Sequence, residues 1–131
     1  MMIIFFRTMP NEYTDRLLDA VSSVIAMSPL HVCGDIDSFV RELLAHRVRQ
    51  PIVIVQVGSL EDLAGIKALS DILDGLFLIV AMDRHDEALS FRCRELYPRF
   101  LTHGMDDLGV VAAMIKKRLA VNGDGYMRRN R

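Results

Sequence analysis

The chain alternates short, wholly apolar runs with stretches in which apolar residues return every three or four positions. Residues 2–6, MIIFF, are the first run and suit a strand covered on both faces, as parallel strands are. Leu17, Leu18, Val21, Val24 and Ile25 then share one helical face. Leu30–Cys33 predicts a second, shorter strand ending at Gly34; Asp35 or Asp37 can cap the helix after it, whose apolar face is Phe39, Val40, Leu43 and Leu44. Pro51 opens a third strand, Ile52–Val57, where a missing backbone donor is tolerated at the first residue. Ser59 with Asp62 three residues on resembles a capping box for one helix carrying Leu63, Ile66, Leu69, Ile72 and Leu73, which Asp74 and Gly75 stop. Residues 76–82, LFLIVAM, predict a fourth buried strand. The polar cluster 83–87 opens a helix with Leu89, Cys93 and Leu96 inward, ended by Pro98. Residues 100–102 predict a fifth strand, and Asp106 or Asp107 starts a final helix with Leu108, Val111, Ala112, Ile115 and Leu119 inward.

Five strand–helix units in about 120 residues, without hairpin-linked neighbours, imply an α/β fold: a three-layer sandwich around a parallel sheet. A closed eight-stranded barrel needs roughly twice the length. Residues 1–122 make a single domain, and residues 123–131, GDGYMRRNR, a polar basic tail expected to be flexible. With 131 residues, 51% of them hydrophobic and 25% charged, the chain can bury one sizeable core. A formal net charge of -1 carries no basic footprint, so nucleic acid is not an expected partner. The first apolar run is too short for a membrane span and lacks the basic flank of a signal segment, so no membrane association is expected. Cys33 and Cys93 read as buried small hydrophobes in a reducing compartment, which points to the cytoplasm.

In such a sheet the carboxyl ends of the strands gather ligands and chemistry, and here they are poor in both. The first turn, Arg7-Thr8-Met9-Pro10, has no glycine, no phosphate-binding lysine and no serine- and threonine-rich flavin loop, which argues against NAD, ATP and FMN; no cofactor is expected. Ser59 has glycine on one side only and reads as a helix cap, not a nucleophile elbow. Cys33, near His31, lacks an electropositive, accessible setting. Asp83, His85, Asp86 and His103 could lie near neighbouring strand ends, but their spacing is no ligand signature and reads as a cap plus a solvated face; no metal is expected. His31 and His46 have no partner identifiable from sequence. No residue set has the types and placement of acid–base catalysis, so the chain reads as a non-enzyme.

From residue 2 to residue 119 the order of elements and turns resembles the receiver domain of two-component response regulators. The resemblance implies a flavodoxin-like five-stranded parallel sheet in the order 2-1-3-4-5. In that family the first strand ends in paired acids before a proline-containing turn; here Arg7 and Thr8 stand there. The phosphoacceptor aspartate, about eight residues before a helix glycine, falls on Val57 when Gly65 is that glycine, or on Gln56 with a one-residue shift. Ala81-Met82 replaces the threonine or serine plus alanine, and His103 and Gly104 replace the lysine and proline after the fifth strand. The resemblance therefore implies a pseudo-receiver with a degenerate pocket of Arg7, Thr8, Gln56, Val57, Ala81 and His103, which neither binds Mg²⁺ tightly nor accepts a phosphoryl group.

Two functions follow as expectations. The first is a protein-interaction module using the face of the fourth helix, fifth strand and fifth helix, where Tyr97, Arg99 and Phe100 cluster; a homodimer through this face is one form it could take. Packing under a helix end is the competing reading of Tyr97 and Phe100, as pairing of Arg7 with Asp83 or Asp35 is of Arg7. The second is a small-anion or small-molecule sensor in which Arg7 and His103 line the vacated pocket.

Overall fold

A computed structural model describes residues 2–25, 28–104 and 107–129, the last nine as backbone alone. Five strands, β1 (Ile3–Phe6), β2 (Leu30–Cys33), β3 (Ile52–Val57), β4 (Phe77–Met82) and β5 (Phe100–His103), form one sheet. All four pairings are parallel and the order is β2-β1-β3-β4-β5. The helices are α1 (Glu12–Ser22), α2 (Ile36–His46), α3 (Leu60–Lys67), α4 (Ser70–Leu73), α5 (Glu87–Cys93) and α6 (Leu108–Arg129).

Strand alternation divides the apolar residues between two cores. Ile4, Phe6, Val53, Val55, Val57, Val80 and Met82 face α2, α3, α4 and α5, where they meet Phe39, Leu43, Leu63, Ile66, Leu73, Leu89 and Cys93. Phe6 and Phe39 stack there with ring centroids 4.5 Å apart. Ile3, Phe5, Ile52, Ile54, Ile79 and Ala81 face the other way, onto Leu17 and Val21 of α1 and Val111 and Ile115 of α6. The central strands β3 and β4 are buried along their whole length. This matches the continuous apolar runs from which they were read.

Caps fall where short polar side chains follow strand tips. Asp35, rather than Asp37, caps α2 by accepting from Ser38 N at 2.7 Å. Ser59 Oγ accepts from Asp62 N at 3.1 Å, but Asp62 returns its carboxylate to Gly58 N at 3.0 Å, so the box closes one residue early. Asp86 caps α5 through Leu89 N. Leu44, expected on the apolar face of α2, is 60% exposed.

The expected single helix after β3 is two. Leu69 N turns back to Ile66 O, and the Ser70 hydroxyl takes the Lys67 carbonyl that a continuing helix would have used. The helix after β4 also ends earlier than expected: a 3₁₀ turn, Arg94–Leu96, gives way to Tyr97 in the left-handed region at φ 53, one residue before Pro98. Asp106 lies outside the described residues, and Asp107 points back to β5, where its carboxylate accepts from Thr102 Oγ1 at 2.9 Å and His103 N at 3.2 Å. The side chains of the anticipated tail, residues 123–131, also lie outside the described residues.

Candidate functional site: a closed strand-tip pocket and an open edge face

The carboxyl ends of β1, β3 and β4 meet at Gln56. Alternation turns its side chain to the α1 side of the sheet and Val57 to the α3 side, where Val57 is fully buried. The Gln56 amide spans the turn after β1. Its Oε1 accepts from Met9 N at 3.1 Å, and its Nε2 donates to Met9 O at 2.9 Å and to Asp83 Oδ1 at 3.1 Å. Gln56 is 2% exposed, so these bonds satisfy a buried amide and fasten the β1–α1 loop onto the sheet.

Two carboxylates flank this amide. Asp83 follows β4 and Asp62 lies in the first turn of α3; a Cβ built on Gly58 would come within 3.2 Å of Asp83 Oδ2 and 3.4 Å of Asp62 Oδ2, so Gly58 is the gap between them. Thr8 Oγ1 reaches Asp62 Oδ1 at 3.5 Å. The small cavity beside Gly58, about 220 Å³, is lined by Val57, Asp83, Arg84, Asp86 and Leu89. Sequence reading anticipated Asp62 as a helix-capping partner but missed its contact with Thr8 and the pairing of Asp83 with Gln56, because both join residues of different elements.

The sequence-derived pocket residues do not form one site. Arg7 turns to α1, where it pairs with Asp15 and donates to Thr14 Oγ1 at 3.3 Å, rather than meeting Asp83 or Asp35. His103 lies at the tip of β5, three strand spacings from β1, roughly 14 Å at the usual interstrand distance. Arg7 is engaged by Asp15 and Thr14 and His103 by His85, so the two side chains face different partners. Ala81 is buried under the α1 and α6 layer. The quartet Asp83, His85, Asp86 and His103 is likewise divided: Asp83 serves Gln56, Asp86 caps α5, and His85 Nδ1 lies 3.2 Å from His103 Nε2.

A receiver's hard divalent ion needs clustered carboxylates at the tips of its first and third strands. The residues here do not fit it. Arg7, Thr8 and Val57 supply no carboxylate, and Asp62 and Asp83 already accept from Gly58 N and the Gln56 amide.

The edge beyond β5 is open. Tyr97 is 89% exposed and Phe91, on α5, is 72% exposed, whereas Phe100 is half-buried against the α6 core. The packing reading therefore fails for Tyr97 and holds for Phe100. Arg99 lies exposed with its guanidinium 5.2 Å from the Phe77 ring, and Arg118 approaches the same ring at 5.0 Å. Two shallow grooves follow: one of about 530 Å³ along β5 between His85, Arg94, Tyr97 and His103, and one of about 520 Å³ floored by Phe77 and Met114 and rimmed by Arg99, Lys117 and Arg118.

Both cysteines are buried and free. Burial pushes the Cys93 thiol up to about 11, and burial with the nearby Glu42 and Asp35 charges raises Cys33. Neither is an activated thiol. No described helix is long and apolar enough to cross a membrane.

No family model and no curated protein matches this sequence. Its fold is similar to the crystal structure of HP1043, an orphan response regulator of H. pylori, at 13% identity and a TM-score of 0.60, covering 90% of this chain and 96% of that one. It is also similar to the Mn²⁺-bound form of the response regulator Rcp1, at 13% identity and a TM-score of 0.57, covering 89% and 91%. The five-stranded parallel sheet and flanking helices are thus those of a receiver-like, flavodoxin-like fold.

Proposed function

We propose that this chain is a non-catalytic pseudo-receiver: a regulatory module that accepts no phosphoryl group and acts by protein contact through α5, β5 and α6. The observation that carries this reading is the closed strand-tip pocket, in which buried Val57 and the pinned Gln56 amide occupy the positions the resemblance assigns to the phosphoacceptor. Without a carboxylate at β3 or at the tip of β1, phosphoryl transfer has neither an acceptor nor a metal clamp.

The contact face is supported by Tyr97. A left-handed backbone costs a non-glycine residue roughly 1–2 kcal/mol, and an 89% exposed side chain recovers almost nothing through burial in the free chain. Aromatic residues next to arginine are the types that anchor interfaces, and Arg94 and Arg99 border the same groove. The partner tested first is a second copy of the chain. Two buried, unpaired thiols support a cytoplasmic setting. A small-molecule sensor in the strand-tip pocket has less support: Gln56 fills it and carboxylates flank it, which disfavours an anion.

Incubation with acetyl phosphate and Mg²⁺ should leave the intact mass unchanged, and light scattering at high micromolar concentration should show a species heavier than the 14.8 kDa monomer. Addition of one phosphoryl group would sink the pseudo-receiver reading; a monomer at all concentrations would sink homodimerisation.

A further inference from the structure

At the far edge of the sheet, away from the strand tips, three metal-ligating side chains meet. His31 lies on the edge strand β2, on the same face as Cys33, which α2 covers. Glu42 and His46 stand one helical turn apart on α2. Glu42 Oε2 lies 3.3 Å from His31 Nδ1 and 3.3 Å from His46 Nε2, and one ligand atom from each of the three residues lies within 4.8 Å of the other two.

This geometry differs from that of a satisfied ion-pair triad. Glu42 Oε2 is buried and accepts a well-aligned hydrogen bond from neither imidazole, although both nitrogens are close. Ligands at zinc's usual bond lengths of 2.0–2.1 Å stand about 3.3–3.4 Å apart along the edge of a tetrahedron. Two histidines and one glutamate are also a donor set that zinc uses when a fourth position is left for water. His31 keeps 42% of its side chain exposed, which gives an ion a way in.

We propose that His31, Glu42 and His46 bind one zinc-class divalent ion, tying the edge strand β2 to α2 and leaving one coordination position open. Cys33, two residues along β2 from His31, stays outside the set of three. The second ring nitrogen of His46, Nδ1, is buried without a partner among the described residues, so no outer hydrogen bond fixes that ring. Absence of such a partner typically weakens binding 10–100-fold, which makes this an exchangeable site rather than a permanently loaded one.

The site does not depend on the pseudo-receiver reading, and its test is separate from phosphorylation and dimerisation. The full chain, stripped with EDTA, is titrated with ZnSO₄ by calorimetry and with Co²⁺ by visible absorption. The expected result is one ion per chain, intense tetrahedral Co²⁺ bands, and a rise in Tm that EDTA reverses. His31→Ala and His46→Ala should each weaken binding by at least about tenfold; the paired change His85→Ala with His103→Ala should leave it intact. Circular dichroism checks folding, and His31→Gln with His46→Gln replaces any alanine variant that fails to fold. Absence of stoichiometric binding, its survival in the His31 and His46 variants, or its loss in the His85 and His103 pair overturns the proposal and leaves these residues as an ion-pair triad only.

Discussion

Gln56 shows how one side chain can close a site. Its amide meets both backbone groups of Met9 and the Asp83 carboxylate while almost fully buried. Gln56→Ala leaves those groups without their partner, and an orphaned buried polar group costs about 1–3 kcal/mol. We expect a loss of about 2 kcal/mol in unfolding free energy by urea denaturation. Gln56→Glu should be worse at neutral pH, since it sets a second carboxylate against Asp83 where an amide donated at 3.1 Å. Residue identities alone placed Gln56 near a strand tip. They could not say that its partner would be the Met9 backbone, because a long-range hydrogen bond leaves no mark in local spacing. Arg7 makes the same point: its identity announced a cation, and only the course of the turn decided that Asp15 would receive it.

Among the elements, the strands were legible nearly to the residue and the helix ends were not. Ile52–Val57 and Leu30–Cys33 were read at their observed bounds because apolar runs between glycine, proline and acidic residues admit few other readings. The division between α3 and α4 was missed because Ser70 competes for the Lys67 carbonyl, a choice that periodicity does not record. Gly75 was read correctly as a stop, and its φ of +82 gives the reason. A Cβ at Gly75 would meet nothing within 4 Å, so Gly75→Ala tests backbone strain alone. It should cost about 1 kcal/mol, read as a lower Tm with unchanged far-ultraviolet circular dichroism.

For the whole molecule, the exposed edge at β5 and the left-handed Tyr97 make stability and association separable. Tyr97→Gly relieves a strained backbone and removes an exposed ring. The variant should be no less stable than the parent by urea denaturation, since the relief of about 1 kcal/mol offsets the greater freedom of glycine in the unfolded chain. It should also lose the concentration-dependent association expected in light scattering. A stable variant that still associates would move the interface away from α5, β5 and α6.

The order of apolar runs and helical faces determined the α/β class, the parallel sheet and most core residues, because burial on both faces of a strand and on one face of a helix is written in local periodicity. That Arg7, Thr8 and Val57 carry no carboxylate was likewise visible as residue types. Only the tertiary structure decided what those positions do instead: Gln56 closing on Met9 and Asp83, Arg7 turning to Asp15, His103 meeting His85, and His31 gathering with Glu42 and His46. Each of these joins residues from different elements, and such distances are set by how the layers pack, which no spacing along the chain encodes.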